Sequence, residues 1–328
     1  MKKQLLVLAC FALVSIAAKA QFGQIVLQHE GVVSVFENNK IDDAMAKAVD
    51  GDVIYLSEGT FSGDMNITKK VSIIGAGINT VWGGNVNIDI PGTPTLTERL
   101  LDAFTISNTI TVKQPCKGLN IRKCTFNAIR FDALTESATI DRCYCRGGEK
   151  NGFFLSENVK ALYVMNSKIW YLWGNAGAAG DVNFMNCNIN FIYNTYYANS
   201  KYYCVLASYT NCIIRTWENT NSNYQYTNTV YRNCLCGTSC FSSSNAAYCW
   251  NFNNTNTGKL LGTSAETILS DADLKSNGYI GTDGTVVGIT GGAAPYSLTP
   301  TVPRVTEHTI NVDTDKKELN VNIKVTTN

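Results

Sequence analysis

The stretch Phe184-Met185-Asn186-Cys187-Asn188-Ile189 (FMNCNI) has counterparts up and down the chain. They are IRKCTF from Ile121, IDRCYC from Ile140, VMNSKI from Val164, YTNCII from Tyr209 and YRNCLC from Tyr231. Their fourth residues form a column of Cys124, Cys143, Ser167, Cys187, Cys212 and Cys234, separated by 19, 24, 20, 25 and 22 residues. A recurring unit near 22 residues with ragged insertions marks a solenoid. In the unit around FMNCNI, Val182 and Phe184 alternate with polar residues, and so do Cys187 and Ile189. Alternation indicates half-buried strand. The parity switches between Phe184 and Cys187, which a continuous strand does not allow, because successive side chains point to opposite faces. The chain must turn at Asn186. Asn tolerates the left-handed backbone region better than most residues. Asn166, Asn186, Asn211 and Asn233 all precede the thiol column, with Lys123 and Arg142 in the two earlier units. Each unit therefore reads as strand, sharp corner, strand, looser loop and third strand. Stacked, such units form parallel sheets stepped by about 4.8 Å. The absence of proline between Pro115 and Pro295 fits a ladder in which every N–H is used.

The thiols then read as an inward column of small hydrophobes. Disulfide pairing stays open: without Cys10 the chain has 11 cysteines, an odd number. A metal site is not expected. Cys143/Cys145 and Cys234/Cys236 are C-x-C pairs, and the two histidines, His29 and His308, lie near the ends.

Residues 1–20 carry Lys2 and Lys3, an apolar run from Leu5 to Ala18, and Ala18-Lys19-Ala20. That is the pattern of a secretory signal peptide cut between Ala20 and Gln21. The run is too short to span a membrane. The expected location is secreted, periplasmic or cell-surface. Removing Lys2, Lys3 and Lys19 leaves 24 basic against 26 acidic residues, a net charge of −2. A nucleic-acid partner is not expected on that balance. The expected organisation is a signal peptide (1–20), a solenoid with its N-terminal cap (21–292) and a C-terminal linker with β-hairpin (293–328). The cap is a short helix in which Ile41, Ala44, Met45 and Ala48 share one face. Asn39 is its expected N-cap, with Asp42 and Asp43 in the first turn. The oligomeric state is open.

IDDAM from Ile41, GDVIYLSEGTFSG from Gly51 and VSIIGAG from Val71 resemble the opening of right-handed parallel β-helix proteins of the pectin-lyase-like superfamily. The Asn-cornered units resemble the body of that family, and DLKSNGYIGTDGTVVGITGG (Asp273–Gly292) resembles the closing segment of secreted bacterial β-helices. The resemblance covers most of residues 35–292. It implies an all-β, right-handed parallel β-helix of about 22 residues per rung. It does not carry over a catalytic set. The N-T-D and G-H-G stretches of polygalacturonase-like enzymes are missing, as are the D-F-I-F-G and Q-D-T-L of methylesterase-like enzymes. The W-x-D-H and R-x-P-x-x-R of pectate-lyase-like enzymes are missing too.

Two groups of candidate site residues remain. Arg130 and Asp132 in NAIRFD, with Arg146, Glu149 and Lys150 in CRGGEKNG, form a mixed-charge group suited to an acidic sugar, or an ordinary solvated surface. The second group is aromatic. Of 16 tyrosines, 12 fall between Tyr163 and Tyr248, together with Trp170, Trp173, Trp217 and Trp250. Trp170, Tyr171, Trp173, Tyr196, Tyr197, Tyr202 and Tyr203 are the densest, and in adjacent pairs on a strand one ring faces outward. Such rings either stack from rung to rung as structure or meet sugar faces. The expectation is polysaccharide binding without catalysis and without a cofactor. The alternative is a polysaccharide lyase or glycoside hydrolase acting on an acidic glycan, in which case calcium would serve. A second alternative is a structural surface protein or adhesin.

Overall fold

A computed structural model describes residues 23–96, 100–147, 152–174, 181–197, 201–203, 207–218, 230–236, 246–251, 269–299, 304–313 and 318–326. They form a right-handed parallel β-solenoid of about seven turns. One sheet runs from an N-terminal hairpin through Val53–Leu56, Ser72–Gly75, Leu101–Asp102, Asn120–Arg122, Thr135–Asp141, Val159–Met165, Val182–Met185, Ser208–Thr210 and Val230–Arg232 to Ala246–Ala247. The second holds Thr105–Val112, Thr125–Phe131, Lys168–Gly174, Asn188–Tyr197 and Ile213–Glu218. Rungs stack in strict register, so that Val164, Phe184, Tyr209, Tyr231 and Ala246 lie side by side.

The corner column is left-handed throughout. φ is 52° at Lys123, 52° at Arg142, 45° at Asn166, 52° at Asn186, 55° at Asn211 and 49° at Asn233. Ala103 and Tyr248 extend the column in both directions, at 62° and 54°. A second left-handed column, not anticipated from the sequence, lies five residues earlier at Gly118, Ser137 and Ala161. Ser and Ala gave no signal for it, since neither favours this backbone region.

The thiols point inward. Cys124, Cys187, Cys212 and Cys234 are fully buried, and Cys143 and Ser167 are 1% exposed. Each takes a role beyond filling space. The N–H of a corner residue donates to the carbonyl just before the next rung's corner: Asn166 to Met185, Asn186 to Thr210, Asn211 to Arg232. The thiol of that next rung donates to the same oxygen: Cys187 to Met185 at 3.3 Å, Cys212 to Thr210 at 3.3 Å, Cys234 to Arg232 at 3.4 Å. Ser167 does likewise, to Met165 at 2.7 Å. A small side chain with one donor thus fills the second lone pair of each corner carbonyl. Beside this column the rings of Phe184, Tyr209 and Tyr231 stack inside the core at 5.1 and 5.2 Å.

The two ends differ. At the N-terminus Gln24–His29 pairs antiparallel with Val32–Glu37 and Val53–Leu56. Helix Ile41–Lys47 buries Ile41, Ala44 and Met45 against this hairpin and the first rung. Its N-cap is Lys40, with no side-chain capping bond, and not Asn39. The first intrahelical bond, Ala44 N–H to Lys40 O, begins one residue later than the sequence pattern indicated.

At the other end the chain folds back. After helix Asp271–Ser276, closed at its start by a Ser270–Asp273 capping box, residues 279–299 run down the outside of the corner column as a strap. Asn233 Nδ2 donates to Ile280 O, and Asn211 Oδ1 accepts the Thr282 N–H at 2.9 Å. Asn188 Oδ1 accepts the Ile289 N–H, Asn166 Nδ2 donates to Gly291 O at 2.8 Å, and Lys123 Nζ reaches Thr299 O. The strap side also covers Ile213 and Leu235, outward apolar residues of the second sheet, with Leu274 and Val287. The terminal strands Arg304–Asp313 and Glu318–Thr326 form an antiparallel hairpin with one another.

The corner and the clasp can be separated by mutation. Asn186 Nδ2 makes no hydrogen bond, so Asn186→Gly keeps the backbone and changes stability by less than about 1 kcal/mol. Asn186→Val costs on the order of 1–3 kcal/mol, because a β-branched residue resists positive φ. Asn211→Gly keeps the turn but abandons Thr282, and it costs about 1–3 kcal/mol. Urea denaturation of the three variants reads the order directly; equal midpoints for Gly and Val at 186 would contradict it.

Candidate functional site

The second sheet is kinked, and its outer face sorts by offset from the thiol column. Three residues after it stand Asn127, Trp170, Asn190 and Arg215, at the bend. Four after it, Tyr171 pairs with Phe191. Six after it stand Arg130 and Trp173, and Trp173 is paired with Phe154 of the rung between. The outward residues form one continuous row. Arg130 lies 4.6 Å over the Phe154 ring, and Phe154 stacks on Trp173 at 6.1 Å. Trp173 stacks on Tyr171 at 6.2 Å, Tyr171 on Phe191 at 4.8 Å, and Arg215 covers Phe191 at 5.6 Å. Phe154, Trp170, Tyr171, Trp173, Phe191 and Arg215 are half-buried, and Arg130 is exposed.

Local sequence explains the row. In FFL, Phe153 faces the core and Phe154 faces out, as alternation requires. Gly152 precedes them because a Cβ there would come within 2.6 Å of Tyr171 O and 3.1 Å of the Trp173 ring. Ring planes within the row differ by 12–19°. The faces are therefore engaged with one another, and the guanidinium groups close both ends by cation–π contact. Toward solvent the row offers ring rims, a phenol and two cations. Arg215 is further held by Asn190 Oδ1 at 3.0 Å.

Of the charged candidates, Arg130 belongs to this row. Asp132 is exposed just beyond the same strand. Arg146 is exposed one bend away, its Nε on Asn127 Oδ1 at 2.9 Å. Glu149 and Lys150 lie outside the described residues. Of the aromatic candidates, Tyr171 and Trp173 come together in this row, and Trp170 stands half-buried at the bend. Tyr196 and Tyr197 lie on a strand that hairpins with the strand of Tyr202 and Tyr203, and their side chains lie outside the described residues. Phe154, Phe191 and Arg215 were missed by the sequence reading, which searched for local density of rings. The shared offset from the thiol column was the available signal for Phe191 and Arg215. Among the described residues, no three His, Cys, Asp or Glu side chains gather as metal ligands. No helix among them is long and apolar enough to cross a membrane.

Burial acts on several interior thiols, and at Cys234 it is outweighed by hydrogen bonding with Cys212 and Cys249, which lowers that thiol's pKa. Burial pushes Cys116 up to about 11 and Cys145 to about 12, and Cys124 and Cys143 higher still. Cys116, Cys124, Cys143, Cys145, Cys187, Cys212, Cys234 and Cys249 are free, and Cys236 is disulfide-bonded. On the corner column, desolvation and the neighbouring Arg142 and Arg122 lower the pKa of Lys123.

No protein-family model, no curated protein and no solved structure matches this chain.

Raised thiol pKa values set an alkaline limit to stability. The native state keeps a proton that the unfolded chain releases, so the contribution is whole below the ordinary value of 9.0 and is lost as pH climbs toward the native value. Cys145 alone removes about 1.4 kcal/mol per pH unit in that window. Urea midpoints should therefore hold below pH 9.0 and fall between there and about 12, and Cys145→Ala should flatten the slope. Near neutral pH the buried thiols should resist N-ethylmaleimide in the native protein and react in denaturant, read by mass spectrometry; native labelling of Cys124 or Cys187 would contradict their burial.

Proposed function

We propose that this is an exported β-solenoid, of the pectin-lyase-like kind, whose outer aromatic row binds an acidic polysaccharide without cleaving it. The observation that carries the reading is the row from Arg130 through Phe154, Trp173, Tyr171 and Phe191 to Arg215, held half-exposed on a rigid sheet. It runs across successive rungs about 4.8 Å apart. An extended glycan laid along the solenoid axis meets one rung after another in the same way. The stacked rings hold the two guanidinium groups four rungs apart, and guanidinium is the cation best matched to carboxylate or sulfate. Because the ring faces are occupied, charge and rim contacts supply the selectivity. This favours acidic polymers over neutral ones. Export is supported by the basic, apolar and A-x-A pattern of residues 1–20, and the disulfide at Cys236 fits an oxidising compartment. The kinship to the pectin-lyase-like superfamily is supported by the solenoid's hand and its left-handed Asn corners.

The test is a panel of neutral and uronic-acid polysaccharides offered to the chain from Gln21 to Asn328, with binding followed by calorimetry. Acidic polymers should bind, and added salt should weaken them. Arg130→Ala and Arg215→Ala should each reduce affinity about tenfold, with melting unchanged for the exposed Arg130 and lowered for Arg215, whose loss leaves Asn190 Oδ1 unpaired. Equal binding of neutral polymers, binding indifferent to both arginines, no binding at all, or accumulation of unsaturated or hydrolysed products would each overturn the reading.

A further inference from the structure

The strap and the corner column fit each other as ligand and groove. Asn166, Asn188 and Asn211 are 7%, 2% and 1% exposed, yet their amides are occupied by the strap's main chain and not by one another. The contacts are with backbone groups of Ile280, Thr282, Ile289 and Gly291. Gly288 N–H adds a bond to the Asn211 carbonyl at 2.8 Å. Side-chain bulk is excluded where the groove is tightest. A Cβ on Gly281 would lie 2.6 Å from the Asn211 amide carbon, and one on Gly288 would lie 2.5 Å from Asn188 Oδ1, where φ is also +86°. The recognition is thus of a main chain folded into successive turns, with glycine where it approaches the groove most closely.

Dependence on the strap is uneven along the molecule. The rungs between Asn166 and Leu235 lose buried amide partners and expose Ile213 and Leu235 if it leaves. The early rungs are closed by their own hairpin and helix, and they meet the strap's far end at Lys123, which bonds Thr299, and where Tyr296 nears Cys143 and Tyr144. Partners along the groove are 47 to 176 residues apart in sequence. Contacts of such separation form late, after the local stacking that can propagate along a solenoid.

We propose that the corner column is a peptide-binding groove for a turn-rich, glycine-punctuated main chain, and that the strap is its resident ligand, seated last in folding and releasable as a unit. Asn166, Asn211 and Asn233 therefore serve twice, as left-handed corners and as recognition groups, while Asn188 recognises the strap from two residues beyond the Asn186 corner. The later rungs open and close with the strap while the early rungs stay folded. This holds whether or not the outer face binds glycan.

The experiment uses the full chain with a specific protease site placed within residues 252–268 and cut after folding. The two pieces should stay together in gel filtration. Gly288→Val should weaken the association at least about tenfold. Hydrogen exchange of the cut Gly288→Val protein should show lost protection at Val182–Met185, Ser208–Thr210 and Val230–Arg232, with Val53–Leu56 and Ser72–Gly75 unchanged. Should Gly288→Val not fold, Asn233→Gly keeps the left-handed corner, removes the bond to Ile280 and gives the same pattern at smaller amplitude. Separation of the pieces on cutting the parent protein, retention despite Gly288→Val, or uniform loss of protection along the solenoid would each overturn the proposal.

Discussion

Everything in this molecule hangs on a backbone conformation that most residues avoid. Each rung must reverse its inside-outside parity within one residue, and it does so through a left-handed corner repeated from Ala103 to Tyr248. A corner of this kind costs on the order of 1–3 kcal/mol at a residue that is not glycine. It persists because its surroundings over-determine it. The corner N–H bonds the rung above, the thiol or hydroxyl that follows fills the remaining lone pair of the same carbonyl, and in four positions the side chain reaches the strap. The rung-to-rung register, which shifts once between Ile106 and Thr109 where Thr105–Val112 pairs with Thr125–Phe131, otherwise follows from that one repeated turn, and with it the alignment of the outward columns.

The inward and outward faces use aromatic residues differently. Inside, Phe184, Tyr209 and Tyr231 stack because successive rungs bring equivalent positions together at the pitch of the sheet. Outside, the same pitch stacks Tyr171 on Phe191, and an arginine closes the row at each end. Ring density in the sequence therefore mixes two populations. What separates them is parity relative to the thiol column, a quantity local composition does not contain.

The solenoid was legible because its signal is periodic. The FMNCNI alignment predicted the inward column and the left-handed state of Lys123 and Arg142, neither of which is an obvious turn former. The second corner column at Ser137 and Ala161 was hidden, since nothing about Ser or Ala advertises positive φ. The helix start at Lys40 was misplaced by one residue because Asn39 has the right chemistry and the wrong position. The strap was read as a closing segment without its path. Its partners are remote in sequence, and its glycines match the Asn column only once both are in space. Arg130 was found as a charge and Arg215 was not, because their common role as caps of one aromatic row exists only across four rungs.

Solenoids lengthen in evolution by copying a rung, since a new unit meets neighbours identical to those of the old. The strap removes that freedom here. Its contacts fall at Asn233, Asn211, Asn188, Asn166 and Lys123 in turn, so its residues are spaced to a fixed number of steps. A duplicated unit between Asn166 and Asn233 would shift every later contact by one step and bring strap side chains where only glycine fits. The returning segment acts as a gauge of stack height, and it makes this array one of defined length.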